Sequence, residues 1–87
     1  MNKIFVNIGY GNVASVSKIT AIIKPDAAPI KRIIAQAKES STFVDATAGR
    51  KTRSLVVMSD GYLIASALQA ETIISRIEGK ECSEKDE

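Results

Sequence analysis

The strongest candidate for a binding site is the run Arg50-Lys51-Thr52-Arg53, which places three cations within four residues. Arginine presents a planar fork of donors, lysine a mobile charge, and threonine a hydroxyl donor, and all three suit contacts to phosphate oxygens. The run therefore favours a nucleic-acid backbone as the ligand. The alternative is a solvated loop, since many exposed loops carry such charges.

A second candidate is Gly9-x-Gly11-x-x-Ala14, which follows a short apolar run and matches the dinucleotide-binding fingerprint in its alanine form. In that motif the glycines let the backbone approach a pyrophosphate at the start of a helix. Residues 13–17 have no helix-long apolar pattern, however, and no acidic residue lies near twenty positions further on. We therefore expect a glycine turn in which Asn12 bonds backbone groups, with nucleotide binding as the alternative.

The sequence offers no convincing set of catalytic or metal-binding residues. Histidine is absent, and the single Cys82 lies in a charged tail, which leaves no usual general base, zinc site or activated nucleophile. Asp26, Asp45 and Asp60 are well separated and stand where caps and turns are expected. We expect a protein that is not an enzyme and has no catalytic, metal or cofactor residues, and therefore no small-molecule substrate.

The charges are distributed unevenly along the 87 residues. Residues 1–53 hold nine Lys or Arg against three acidic residues, whereas residues 54–87 hold three against seven. A basic body of this kind fits an anionic partner, and the alternative is a solvated surface with a solubilising acidic tail. No apolar stretch approaches the roughly 20 residues of a membrane helix, and no secretory signal pattern opens the chain. A cytoplasmic location without membrane contact is expected.

Short apolar runs alternate with turn residues, which predicts five strands and two helices. We expect strands over residues 4–8, 18–24, 43–47, 54–58 and 62–65. We expect one helix that begins within residues 26–29 and ends near residue 40, and a second over residues 70–78. Residues 48–53 join the third and fourth strands, which suggests a hairpin that carries the basic run at its tip.

The order ββαβββα indicates an α+β domain with a small, mainly antiparallel sheet and two helices. We assign residues 1–78 to this single domain and residues 79–87 to a charged, disordered tail. Residues 55–58 are apolar on both alternating faces, so both sides of that strand should be buried. Because two short helices cover one face of a five-stranded sheet, we expect a neighbouring subunit to cover the other.

Several stretches together resemble the RemA family, the extracellular matrix regulatory protein A family of bacteria. The matching segments cover about residues 3–78 in the right order and spacing. They are Asn7-Ile8-Gly9-Tyr10-Gly11-Asn12, Ala28-Pro29-Ile30-Lys31-Arg32-Ile33-Ile34, Val44-Asp45-Ala46-Thr47, Gly49-Arg50-Lys51-Thr52-Arg53 and Gln69-Ala70-Glu71-Thr72.

The resemblance implies a transcriptional regulator that binds double-stranded DNA, is linked to biofilm matrix genes and osmoprotection, and assembles into homo-oligomeric rings. It implies that Arg50 and Lys51 contact DNA with help from Lys18, and the local charge run adds Arg53. Family members tend to have arginine at positions 18 and 51. Lysine keeps the charge there but loses the bidentate geometry, so DNA preference can differ. A structural or protein-interaction ring without DNA binding is the alternative.

Overall fold

The computed structural model describes residues 4–26 and 28–79. These residues form six strands, two α-helices and one short 3-10 turn, Val16–Lys18. The strands are β1 (Phe5–Gly9), β2 (Asn12–Ser15), β3 (Ile19–Ile23), β4 (Phe43–Ala46), β5 (Ser54–Met58) and β6 (Leu63–Ser66). The helices are α1 (Ala28–Glu39) and α2 (Ala70–Ile77). Of the predicted tail, residues 79–87, only Gly79 is among the described residues.

The predicted elements are confirmed in type and place, with one strand added and the pairing changed. β2 is the added strand, and it pairs with β1 as a separate antiparallel hairpin. The other four strands form a sheet in the order β3-β5-β6-β4, so the predicted five-stranded sheet is wrong. The sheet is mainly antiparallel, as expected, with β4 and β6 running parallel.

The predicted hairpin between β4 and β5 is also wrong. β6 lies between these two strands and pairs with both. Residues 47–53 are therefore a connection that passes the end of β6, and the basic run does not lie at a hairpin tip. A parallel pair such as β4 and β6 needs a long crossover, and β5 forms part of it here.

α1 covers one face of the sheet. Pro29 is tolerated in the first turn, and Ile30, Ile34 and Ala37 recur at helical spacing toward the strands. Ile33 belongs to the predicted apolar face but keeps 44% of its surface exposed, so it lies at the margin of the contact between α1 and the sheet. The buried residues of this layer are Ala37, Leu55, Leu63 and Ala65.

The opposite face is covered by the β1–β2 hairpin and α2. Its buried residues are Val6, Ile8, Ala14, Ala46, Val56, Leu68 and Ile73. Leu55 and Val56 point to opposite faces and are both fully buried, which confirms the prediction for this strand. The inference that a second subunit is needed to cover one face is wrong, because the chain covers both faces itself.

Candidate functional site

One end of the four-stranded sheet collects the loops that carry most of the candidate cations. β3 and β4 end there and β5 begins there, since Ile23 pairs with Leu55 and both Ala46 and Ser54 pair with Ser66. The segment after β3, the loop 47–53 and the segment between β6 and α2 therefore meet. We call this region the basic end and define it by its four cations, Lys24, Arg50, Lys51 and Arg53.

A cleft of about 500 Å³ opens at the basic end. Three of its lining residues are cationic and one is acidic; the lining is Lys24, Pro25, Asp26, Lys51, Thr52, Arg53 and Gln69. Lys24, Lys51 and Arg53 are exposed, and none makes a side-chain hydrogen bond or ion pair with another described residue. The cleft is therefore a concave, solvated surface with an excess of positive charge.

The loop 47–53 is fastened at both of its ends by hydrogen bonds. At its start, the Arg50 amide donates to the carbonyl oxygen of Thr47 over 3.0 Å. At its end, the Arg53 amide donates to the carbonyl oxygen of Ser66 over 2.8 Å, next to the buried pairing of Ser54 with Ser66. The sheet thus fixes the backbone at Arg53 while its side chain remains free to contact a ligand.

Asp45 orders the entrance to this loop. Its Oδ1 atom accepts hydrogen bonds from Thr47 Oγ1 (2.6 Å) and from the Thr47 amide (2.9 Å). These bonds favour the ionised carboxylate, so they lower the pKa of Asp45 despite a small opposing effect of burial, and the charge of Lys38 adds to the lowering. Asp45 therefore has the turn role that the sequence predicts.

The turn between β1 and β2 contacts the same loop through Tyr10 and Arg50. The guanidinium carbon of Arg50 lies 4.9 Å from the centroid of the Tyr10 ring, within the range of a cation–π contact. Arg50 Nη1 also donates to the carbonyl oxygen of Ala48 over 3.4 Å. Arg50 is exposed and Tyr10 is half-buried, so the contact lies at the protein surface.

Two of the four predicted site residues, Lys51 and Arg53, line the cleft, and Arg50 lies on the same loop against the Tyr10 ring. Lys18 lies at the opposite end of the sheet, where its carbonyl oxygen accepts from the Ser59 amide over 2.7 Å. At about 3.3 Å per strand residue, Lys18 is roughly 20 Å from Lys24 along β3. Lys24 takes its place at the cleft, and it is missing from the predicted set because its position beside Arg53 depends on the pairing of β3 with β5.

Known proteins similar to this chain identify its family. A family model described as extracellular matrix regulatory protein A-like, or RemA-like, matches residues 5–77. The chain belongs to the RemA-like family. Relatives from Bacillus cytotoxicus, Bacillus mycoides and Bacillus cereus strain B4264 are each 51% identical over 77 residues, which is 88% of this chain and 88% of theirs. These relatives carry the provisional name of regulatory protein, and none of the three names is that of an enzyme.

The RemA-like chain uses its glycine motif as a turn. Gly9, Tyr10 and Gly11 all have positive φ, at 113°, 54° and 83°, and Asn12 Nδ2 donates to the carbonyl oxygen of Gly9 over 3.0 Å. Strand β2 follows where a dinucleotide site needs a helix. The predicted glycine turn is confirmed. The dinucleotide-binding fingerprint lacks the helix that it needs, which argues against nucleotide binding here.

Three further observations concern a turn, metal binding and membrane spans. Asp60 accepts from the Tyr62 amide over 3.2 Å, which confirms its predicted turn role. Within residues 4–26 and 28–79, the acidic side chains form no group of three that could hold a metal ion. Neither helix in this part of the chain combines the length and apolar character needed to cross a bilayer.

Proposed function

We propose that this RemA-like protein is a cytoplasmic transcriptional regulator that binds duplex DNA through the basic end and acts as a homo-oligomeric ring. The resemblance links such regulators to biofilm matrix and osmoprotection genes. The family description and the names of the relatives support the regulatory role. DNA binding and the ring go beyond those names and are supported by the charges and the exposed apolar residues of this chain.

The observation that carries the proposal is the set of cations around the cleft. Lys24, Lys51 and Arg53 come from two segments of the chain and line one concave surface. Like charges that approach each other without internal partners destabilise a fold, so a site that keeps them fits a polyanionic ligand.

Duplex DNA fits this surface better than single-stranded nucleic acid. Proteins that bind single strands stack bases on exposed aromatic rings. Among the described residues Phe43 and Tyr62 lie at the far end of the sheet, exposed Phe5 lies at the end of the β1–β2 hairpin away from its turn, and the Tyr10 ring is already in contact with Arg50. The basic end therefore offers charge without a stacking surface, which suits backbone contacts to a duplex.

Self-association is part of the proposal because one subunit provides few phosphate contacts. Repeating the basic end in an assembly raises the effective concentration and multiplies contacts that are individually weak. Phe5 and Val13 each keep 60% of their surface exposed on the outer side of the β1–β2 hairpin. Exposed apolar side chains of this size are frequent at interfaces, which supports a homo-oligomer.

Lys18 has a separate place in this proposal. Since it lies at the opposite end of the sheet from Arg53, it does not share a phosphate with Arg53 of the same subunit. In an assembly it contacts the DNA backbone at a distance from the cleft or beside the basic end of a neighbouring subunit. Its loss should therefore weaken DNA binding less than the loss of Lys51.

The test is duplex binding by fluorescence anisotropy across a salt series, with the mass of the protein measured by light scattering. We expect steep salt dependence, and we expect Arg50→Ala, Lys51→Ala and Arg53→Ala each to weaken binding and lower the log–log slope by about 0.9 for each lost phosphate contact. Lys38→Ala is the matched control, because it removes one charge in the last turn of α1, where Lys38 Nζ lies 5.1 Å from the ring centroid of Phe43 at the far end of the sheet.

Other results would point elsewhere. Full-strength binding by all three loop variants would exclude the basic end as the site. An oligomer without salt-sensitive affinity for DNA would favour a structural or protein-interaction ring. A parent protein that stays monomeric at micromolar concentration would contradict the proposed homo-oligomer.

A further inference from the structure

We propose that Tyr10 is a positioning residue that holds the Arg50 guanidinium in place for phosphate contact. The inference rests on the proposed function and extends it, because neither the family resemblance nor the relatives' names give Tyr10 a role. The two residues are forty positions apart and belong to different loops, yet the guanidinium carbon lies 4.9 Å from the ring centroid.

The turn that carries Tyr10 is built to hold the ring in this position. Asn7 Oδ1 accepts from the Gly9 amide over 2.7 Å, and Asn12 Nδ2 donates to the carbonyl oxygen of Gly9 over 3.0 Å and to that of Tyr10 over 3.4 Å. Tyr10 itself has a φ of 54°, a conformation that is uncommon for a bulky side chain. Asn7 and Asn12 thus stabilise the turn on both sides of Tyr10, although a bulky side chain disfavours the left-handed conformation.

The loop that carries Arg50 is turned in a similar way. Ala48 and Gly49 precede the arginine with φ values of 55° and 82°. The carbonyl oxygen of Ala48 accepts from Arg50 Nη1 over 3.4 Å, and the Arg50 amide donates to Thr47. Two consecutive left-handed residues therefore direct this side chain back toward the Tyr10 ring.

A tyrosine ring is a suitable support for a cation that binds phosphate. It contacts the guanidinium without an opposite charge, so the full positive charge of Arg50 remains available. Stacking on a ring leaves the edge of the guanidinium open, so the N–H groups that do not bond Ala48 can donate to phosphate oxygens. A side chain held in one arrangement before binding also loses less conformational entropy when the ligand arrives.

The experiment compares two substitutions at position 10. Tyr10→Phe keeps the ring and removes only the hydroxyl, for which no hydrogen bond to a described residue is seen. Tyr10→Asn removes the ring but keeps the turn, because asparagine tolerates the left-handed conformation. We expect Tyr10→Phe to bind duplex DNA within about twofold of the parent, and Tyr10→Asn to lose about two- to fivefold per subunit, as exposed cation–π contacts contribute.

Salt dependence separates positioning from charge. Tyr10→Asn removes no charge, so its binding curve should shift while its log–log slope stays that of the parent. Arg50→Ala should lower both affinity and slope. The mass and the unfolding temperature of Tyr10→Asn serve as controls for the fold, and Tyr10→Gly replaces it if the asparagine variant does not fold.

A direct readout keeps the inference separate from DNA binding. In protein labelled at arginine, the Arg50 side-chain protons should show an upfield ring-current shift in the parent and in Tyr10→Phe that disappears in Tyr10→Asn. If Arg50→Ala weakens DNA binding and Tyr10→Asn does not, the positioning role is overturned and the proposed function stands. If the parent does not bind duplex DNA, the proposed function falls and the DNA-positioning role falls with it, whereas the ring-current shift still decides whether the contact exists.

Discussion

The hydroxyl of Ser66 donates a hydrogen bond of 2.7 Å to the carbonyl oxygen of Ile8, fifty-eight residues earlier in the chain. The same hydroxyl oxygen accepts from the Leu68 amide over 3.1 Å. Both bonds are buried, and Ser66 has no exposed surface. One side chain thus joins the β1–β2 hairpin to the sheet and fixes the segment that leads to α2, at the end of the sheet where the cations lie.

Ser66→Ala should therefore destabilise the protein. The change leaves the carbonyl oxygen of Ile8 and the amide of Leu68 without their partner in a buried place, which costs about 1–3 kcal/mol of unfolding free energy. Urea unfolding measures the effect. Ser17→Ala, at an exposed serine, is the control and should change stability by less than about 0.5 kcal/mol. Equal stability of the two variants would contradict the buried linkage.

Gly9→Ala should cost more stability than Gly11→Ala. Gly9 has a φ of 113°, and an added Cβ atom would lie 3.3 Å from Leu68 Cγ. Gly11 has a φ of 83° but open space around it. We expect a loss of about 1–2 kcal/mol for the left-handed strain at Gly11 and a larger loss at Gly9, where crowding adds to it. Thermal unfolding of both variants checks the order, and the reverse order would count against the packing of this turn on Leu68.

Lys24→Ala should weaken duplex binding about as much as Lys51→Ala, whereas Lys18→Ala should have a smaller effect. Lys24 lines the same cleft as Lys51 and Arg53, whereas Lys18 lies at the opposite end of the sheet. Each lost phosphate contact lowers the log–log salt slope by about 0.9. Anisotropy titrations of the three variants at several salt concentrations provide the measurement. Parent-like binding by Lys24→Ala would remove this residue from the site.

Asp45 should make stability depend on pH in the acidic range. The hydrogen bonds from Thr47 lower the folded-state pKa of Asp45 below its ordinary value of 3.8. The stabilisation is therefore complete above the unfolded-state pKa and is lost as the pH falls through the lower, folded-state pKa. Asp45→Asn removes this contribution, so the difference in unfolding temperature between parent and variant should shrink as the pH falls from 6 toward about 3. A constant difference across that range would show that the carboxylate is not stabilised by Thr47.

Much of the local structure can be predicted from the sequence, because it depends on neighbours along the chain. Alternating and helical apolar patterns identify both helices and five of the six strands. Asn12 in the glycine turn and the turn aspartates Asp45 and Asp60 also have the roles that their types predict. The apolar pattern does not predict β2, because Asn12–Ser15 is short and lacks a clear alternation. Its pairing with β1 stabilises it.

Only the tertiary structure decides which strands pair and which cations meet. β6 inserts between β4 and β5, so residues 47–53 pass a strand end instead of forming a hairpin tip. That pairing brings Lys24 to Arg53 and leaves Lys18 at the far end. The basic run itself is evident in the sequence. Its neighbours, including the Tyr10 ring in contact with Arg50, depend on contacts between distant residues, which local spacing does not encode because a strand's partners are selected by burial of the whole sheet.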